Sequence, residues 1–231
     1  MLESSFFLAG NVYFEMTDVI EEFAVGMPSS FESLSWDDGR IAFEFARHEL
    51  NDKSAIGIWH LPNERVLRPK PETIIRSKFG KFLQFRMAGY RTHTEEAHVE
   101  NDGYADVSLH FVDDRVVIVE VKWIGAALVS TRLNEPEADI KAALKGNKAG
   151  WFTRFGDSTF ASGLAQVVTY FESGKYQKAY LAVFDCGATA STTDSCDMPV
   201  DPGQLNGQSV GRFRVVRACV DPRTASKKAK A

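Results

Sequence analysis

The chain has 231 residues, of which 44% are hydrophobic and 25% charged, and its 27 basic and 31 acidic side chains leave a formal charge of -4. This composition predicts a globular protein of one large or two small domains and excludes a disordered, collagen-like or coiled-coil chain. No window approaches the ~20 apolar residues that span a bilayer. The first ten residues lack the pattern of a signal peptide, so we expect a cytoplasmic protein without membrane contact.

The charge is distributed unevenly along the chain. Residues 1–63 carry eleven acidic and three basic side chains, a local charge of -8, whereas residues 64–92 carry eight basic and two acidic ones, a local charge of +6. A charge run is most often a solvated helix face. A local basic patch also attracts a phosphate backbone, whatever the charge of the whole chain. Both interpretations are open at this point.

A domain boundary is predicted where three prolines fall within residues 62–71. Proline removes a backbone donor and biases the residue before it away from helix. We therefore expect an acidic N-terminal accessory segment at residues 1–66 and the main domain at residues 67–231. The accessory segment has one helical pattern, at residues 41–50, and no recognisable chemistry.

An amphipathic helix is predicted to begin at Pro71, because proline is favoured at the first helical position. Glu72 lies one turn before the apolar stripe of this helix, and Gly89 ends it. The stripe has helical spacing and consists of Ile75, Phe79, Phe82, Leu83 and Met87.

After this helix the period of the apolar residues changes from 3.6 to 2. Residues 95–100, 104–111 and 116–123 are predicted to form a meander of three strands joined by tight turns. The third of these, VVIVEVKW, is apolar on both faces up to Glu120. This pattern predicts a central strand that is covered on both sides. A short helix at residues 136–144 follows in a long connection.

The last part of the chain is predicted to contain a helix followed by two strands. The helix begins at Asp157 or Ser158, either of which can cap it. Residues 179–184 form a short apolar strand, and the intervening helix favours a crossover to a parallel position in the sheet. Residues 186–211 have no periodicity and indicate a long loop, and residues 213–220 indicate an edge strand.

Three charged side chains are expected to converge on the meander. Asp106 and Glu120 are fourteen residues apart on two strands joined by a tight turn, which places Asp106 close to opposite Glu120 or Lys122. Lys122 follows two residues after Glu120 and faces the same side of the strand. Burying such groups is costly unless the charges compensate each other or hold a cation. The alternative is a solvent-facing strand end, since acid-x-Lys alone is a common pattern.

Polar residues on the two flanking helices complete this constellation. Glu72 lies near the start of the first helix. Gln166 and Tyr170 are neighbours at i and i+4 on the second, where on their own they would be an ordinary polar flank.

In this context the sequence resembles the PD-(D/E)XK nuclease superfamily, and it is similar to nuclease domains of bacterial defence proteins. The resemblance covers about residues 71–184 and rests on Ala105-Asp106 followed by Glu120-Val121-Lys122. Ala105 stands where the superfamily name has proline. The resemblance implies an α/β fold with a restriction-endonuclease-like core, in which a helix, a three-strand meander, a helix and a strand build a mixed sheet flanked by helices.

The resemblance also implies the roles of the central residues. Asp106 and Glu120 match the metal-binding acids, and Lys122 matches the catalytic lysine. The carbonyl group of Val121 is the expected third protein ligand of the metal. Such hard oxygen ligands suit Mg²⁺, for which Mn²⁺ is the possible substitute.

Further residues have supporting roles in this interpretation. Glu72 resembles the additional acid that many members carry on the first helix, and Gln166 with Tyr170 resembles a Gln-x-x-x-Tyr motif found in part of the superfamily. The basic residues expected to guide phosphate toward the metal are Lys78, Lys81 and Arg86.

The expected function is therefore that of a Mg²⁺-dependent endonuclease or exonuclease. It would hydrolyse phosphodiester bonds of nucleic acid, DNA rather than RNA, in prokaryotic defence or DNA processing. The alternative is a catalytically silent nucleic-acid or protein binding module on a nuclease-like fold. The acidic segment at residues 1–66 is the expected surface for a partner protein or for a homodimer. Motifs of P-loop ATPases, dinucleotide enzymes and α/β-hydrolases are absent from the sequence.

Overall fold

A computed structural model of the chain describes residues 40–50, 57–86, 90–99, 103–111, 114–172, 176–187 and 195–222. Over these ranges the protein is α/β, with a mixed β-sheet flanked by helices, and the prediction of this class is confirmed. The chain divides into two units, residues 1–33 and 34–231, and all described residues belong to the second. Among the described residues, no helix is long and apolar enough to cross a membrane.

The elements are numbered here in chain order. They are helix α1 (Arg40–Phe45), continued by a π-helical turn (Ala46–Leu50); strands β1 (Trp59–Leu61) and β2 (Val66–Leu67); helix α2 (Pro71–Arg86); strands β3 (Tyr90–Val99), β4 (Gly103–Phe111) and β5 (Val116–Leu128); helix α3 (Glu137–Lys145); strand β6 (Phe152–Phe155); helix α4 (Ser158–Glu172); and strands β7 (Lys178–Asp185), β8 (Ser195–Asp197) and β9 (Phe213–Cys219).

The predicted helices and central strands are present, with bounds that differ by a few residues. Strand β5 runs five residues past its predicted end at Trp123. Strands β1 and β2 lie at the predicted domain boundary, and β6 lies in the predicted long connection. Met87 and Gly89, at the predicted end of α2, lie outside the described residues.

Strand β5 is the centre of the sheet. Its first half pairs antiparallel with β4 and parallel with β7. Its second half pairs parallel with β2 and antiparallel with β6. A strand with neighbours on both edges and helices on both faces can be apolar throughout, which explains the run VVIV at its start.

The end of the sheet differs from the prediction. Strand β7 lies parallel to β5, as the crossover argument predicted. Strand β9 was predicted to be an edge strand, and this is wrong, because it pairs with β7 on one side and with β8 on the other. Strand β8 has only three residues, and so short a segment has no periodicity that a sequence pattern could show.

The two faces of the sheet have separate apolar cores. Helices α1 and α2 cover one face, where they meet the odd-numbered residues of β5 such as Val119 and Val121. Helix α4 covers the other face, where it meets the even-numbered Ile118 and Ile124. Because side chains alternate along a strand, the even-numbered Glu120 and Lys122 belong to the face under α4.

Residues predicted to be accessory contribute to the first of these cores. Phe45 of α1 is fully buried, and its ring lies 4.7 Å from that of Phe79 on α2 and 5.3 Å from that of Phe184 on β7, centroid to centroid. Strand β2 also pairs directly with β5. The predicted boundary between residues 66 and 67 stays a prediction. The described residues of the predicted accessory segment, 40–50 and 57–66, pack with the main domain.

We expect the substitution Phe45→Ala to destabilise the whole protein. Removing a buried aromatic ring leaves a cavity and typically costs about 3–5 kcal/mol. Denaturant unfolding followed by circular dichroism should show one transition with this loss. The matched control is Leu133→Ala, because Leu133 is 41% exposed and its truncation should change the free energy of unfolding by less than about 0.5 kcal/mol. An equally small loss for Phe45→Ala would show that α1 does not belong to the cooperative core.

Candidate functional site

The candidate site lies where the ladder between β4 and β5 ends. The last residue pair of the ladder is Val107 with Val119, and the next positions on the two strands are Asp106 and Glu120. The Oδ2 atom of Asp106 accepts a hydrogen bond from the backbone N–H of Val121 at 2.8 Å. A side-chain carboxylate therefore occupies the position of a backbone acceptor, and the buried N–H keeps a partner.

Lys122 links two carboxylates from different elements. Its Nζ atom is 2.6 Å from Oε1 of Glu120 on the same strand and 3.5 Å from Oε1 of Glu72 in the first turn of α2. The structure thus brings together four residues that the sequence predicted for the site, namely Glu72, Asp106, Glu120 and Lys122.

Arg76 is a member of this cluster that the sequence analysis missed. Its Nη1 atom is 3.4 Å from Oδ1 of Asp106. Arg76 follows Glu72 by one helical turn, a spacing that places both side chains on one face of α2, and this spacing is the signal that could have identified it. The cluster therefore has three carboxylates and two cationic groups, which is a formal excess of one negative charge.

Burial governs the protonation of the acids. The Glu120 side chain is only 2% exposed. Burial and the neighbouring Asp106 charge raise the pKa of Glu120 to about 7, against the opposing effect of Lys122. Burial likewise raises the pKa of Asp106, although the hydrogen bond from Val121 and the charge of Lys122 favour its ionised form.

Lys122 stays protonated at neutral pH. Burial alone would lower its pKa, as is usual for a buried lysine. The charge of Glu120 and the hydrogen bond to it, together with the charges of Glu72 and Asp106, outweigh this effect and raise the pKa of Lys122 above its ordinary value. The side chain is therefore a fixed positive charge and a hydrogen-bond donor, and it cannot accept a proton.

Helix α4 contributes Gln166 and Tyr170. The Nε2 atom of Gln166 donates a hydrogen bond to the Tyr170 hydroxyl. Tyr170 was predicted to lie on a polar flank of α4, away from its apolar residues, and this is wrong, because Tyr170 is buried in the core under that helix. Burial and the charges of Glu120 and Asp106 raise the pKa of Tyr170, so its hydroxyl is neutral and lies within electrostatic range of both acids.

Gly163 allows α4 to approach the lysine closely. A Cβ atom at this position would lie 3.0 Å from Cγ of Lys122 and 3.0 Å from Cδ1 of Leu181. Few real Cβ contacts are so short, so any larger residue would displace one of these side chains. The absence of a side chain at Gly163 therefore sets where the stem of Lys122 lies.

One carboxylate oxygen of the cluster has no hydrogen-bond donor in the part of the chain that the structure describes. Oε2 of Glu120 is buried and has no hydrogen-bond partner among the described residues. An unsatisfied buried acceptor is costly, and more so when it is charged. Bound Mg²⁺ would remove this cost, and oxygen atoms are the ligands that it prefers.

The donor set for such a cation is small. Within the described ranges, no three histidine, cysteine, aspartate or glutamate side chains form a group that could hold a metal. The two carboxylates nearest the end of the ladder are Asp106 and Glu120. The N–H and C=O of one strand residue point to the same edge, so the carbonyl of Val121 points to the edge where its N–H meets Asp106. Two carboxylates and a carbonyl fit Mg²⁺, which completes its shell with water.

The predicted basic residues lie further along α2. At 1.5 Å per residue, Arg86 is about 21 Å from Glu72 along the helix axis, and it forms a salt bridge with Glu44 of α1. Lys81 is exposed and Lys78 is partly buried. The role of Lys78, Lys81 and Arg86 in guiding phosphate stays a prediction. The guanidinium group of Arg86 is paired with Glu44, so a phosphate would compete with that carboxylate.

No family model, curated protein or solved structure matches the chain.

We expect Gly163→Ala to destabilise the protein, because an overpacking cost of about 1–3 kcal/mol exceeds the gain of up to about 1 kcal/mol that alanine brings to a helix interior. The added methyl group must displace Lys122 or Leu181. Gly156→Ala is the matched control, because a Cβ atom at Gly156 has nothing within 4 Å. Denaturant unfolding of both variants measures the difference, and equal stabilities would contradict the close contact.

The buried acid also predicts a pH dependence of stability. The pKa of Glu120 is about 7 in the folded protein against an ordinary 4.5, so between these values the folded state binds more protons than the unfolded state. Without metal, the contribution of Glu120 to the free energy of unfolding should therefore fall as the pH rises from 4.5 to 7. Subtracting the curve of Glu120→Gln, measured in a chelator, isolates this contribution. A difference that does not change with pH would show that Glu120 has an ordinary pKa.

Proposed function

We propose that the protein is a metal-dependent nuclease that hydrolyses phosphodiester bonds of nucleic acid, with DNA preferred over RNA. The observation that carries the proposal is the buried Oε2 atom of Glu120, which has no donor among the described residues and belongs to a cluster with excess negative charge. Such a cluster is costly unless a cation joins it. The restriction-endonuclease-like core and a role in prokaryotic defence or DNA processing are part of the proposal and rest on the sequence resemblance.

Asp106, Glu120 and the carbonyl of Val121 would hold Mg²⁺, with Mn²⁺ as the substitute. When bound, the metal supplies a water of lowered pKa and neutralises charge that develops on the phosphate. Burial raises the pKa of Glu120 to about 7, so this carboxyl would have to lose its proton before it could serve as a metal ligand.

Lys122 acts as a donor in this proposal. Because its pKa is raised, the ammonium group is protonated and can donate hydrogen bonds to the attacking water or to a phosphate oxygen. Such a preorganised charge stabilises a transition state more than the ground state. Glu120 and Gly163 keep the side chain in place.

The remaining residues position this set. Arg76 holds Asp106 through its guanidinium group at 3.4 Å. Glu72 is the most exposed acid of the cluster, with 38% of its side chain accessible, and it would help to hold a second ion or orient Lys122. The Gln166 and Tyr170 pair would support the wall of the site under α4.

The substrate would approach along the basic part of α2. Lys78 and Lys81 are the candidates for phosphate contacts, which are sensitive to salt. Residues 1–66 have excess negative charge, and the proposal keeps this segment as the surface for a partner protein or for a second copy of the chain.

We expect Asp106→Asn and Lys122→Met to abolish or strongly reduce cleavage. Asparagine keeps an oxygen that can accept from the Val121 N–H but loses the charge that binds metal. Methionine keeps most of the lysine stem but loses the ammonium group, which should lower kcat at least about a hundredfold. Nicking of plasmid DNA, and digestion of single-stranded DNA and RNA, with Mg²⁺ or Mn²⁺ and with a chelator, measure this loss.

Asp139→Asn is the control, because Asp139 is an exposed carboxylate on α3. A readout without turnover is the melting temperature, which Mg²⁺ should raise in wild type by mass action and leave unchanged in Asp106→Asn. Cleavage that survives both site substitutions in folded proteins would refute the assignment. Nucleic-acid binding without any cleavage would favour the silent binding module.

A further inference from the structure

A cavity adjoins the charged cluster. It has a volume of about 360 Å³ and lies between the start of α2, the second half of β5 and strand β6. Glu72 lines this cavity and also contacts Lys122. One side chain is therefore shared between the cavity and the cluster, so a group in the cavity lies next to any phosphate bound at the cluster.

One wall of the cavity is an exposed aromatic ring. Phe155, the last residue of β6, is 45% exposed, whereas its neighbour Trp123 on β5 is only 3% exposed. The two rings form an edge-to-face pair with centroids 4.8 Å apart at 86°. An indole ring can stack on a base, but the burial of Trp123 makes it instead the support behind the open ring of Phe155. The polar part of the lining includes Lys70, Thr73 and Ser130.

The size and the lining of the cavity fit one nucleoside. Ligand pockets typically begin at about 300 Å³, so this cavity has room for a single base with its sugar. An aromatic ring binds bases by stacking, and every base has a face that can stack. In a duplex those faces are covered by the neighbouring base pairs. Only an unstacked base can lie on Phe155.

We propose that this cavity receives the unstacked base of a nucleotide that flanks the phosphate held at the cluster. The substrate class is then single-stranded nucleic acid, or the single-stranded part of a partly paired molecule. This inference rests on the proposed function, because the neighbouring cluster supplies the phosphate site from which the position of the base is argued.

Binding without turnover tests the inference separately from cleavage. The full chain, with Ca²⁺ in place of Mg²⁺ because Ca²⁺ takes the same oxygen ligands in a looser geometry, is titrated into a short fluorescent single-stranded oligonucleotide and into the matching duplex, and anisotropy gives each Kd. Wild type should bind the single strand more tightly. Phe155→Leu should raise that Kd about tenfold, because stacking on one base is lost, and should leave the Kd for the duplex unchanged.

Leucine keeps an apolar cover over Trp123, so this variant should remain folded. Phe155→Tyr retains an aromatic ring and should restore binding. Leu133→Ala, which removes a similarly exposed side chain outside the cavity, should bind as wild type does. Loss of affinity in Phe155→Leu with rescue by Phe155→Tyr supports the proposal.

Two outcomes overturn the inference: equal Kd values for single strand and duplex in wild type, or an unchanged Kd for the single strand in Phe155→Leu. Cleavage assays then separate the two proposals. A protein that cleaves duplex and single strand equally well refutes the base cavity and leaves the nuclease intact. A protein that binds single strands through Phe155 but cleaves nothing refutes the nuclease and supports the cavity as a binding site.

Discussion

The hydrogen bond between the Asp106 carboxylate and the N–H of Val121 is the interaction on which the site depends. It stands where the β4–β5 ladder would otherwise continue, so the two strands separate at this point and leave an edge of β5 available. Backbone donors must be satisfied when they are buried. One carboxylate oxygen satisfies this donor, while the other faces Arg76. The same side chain thus ends the ladder and begins the charged cluster.

Much of this arrangement follows from sequence because it is local. The strand period and the short connection between β4 and β5 place Asp106 opposite Glu120 or Lys122, and the period alone places Lys122 on the face of Glu120. The register of the ladder, which pairs Val107 with Val119, decides for Glu120. The order of helix, meander, helix and strand can also be predicted from the sequence, because each element has its own local pattern of apolar residues. The contact of Arg76 with Asp106 is different, since it joins a helix and a strand whose distance no spacing rule predicts.

The parts that sequence reasoning missed are short or depend on distant packing. Strand β6 has four residues and most are exposed, so it shows neither an apolar run nor an alternation. The charge of residues 1–63 and the prolines after them favoured a separate segment. What places α1 in the core is the buried ring of Phe45, which packs against rings of α2 and β7, and the acidic residues elsewhere in the segment do not indicate this contact. The pKa of Lys122 also depends on neighbours, because burial alone would have lowered it.

The excess charge of the cluster has a consequence for how the chain can change over time. Buried ionised groups are frequently less stabilising than apolar groups of the same size, and proteins commonly lose stability at the sites that give them function. Replacing Glu120 alone by an apolar residue would leave the ammonium group of Lys122 without its nearest counter-charge, so one substitution lowers stability, whereas well-packed apolar residues at both positions would restore it. The charged pair can therefore be lost from the fold only by changing both residues together.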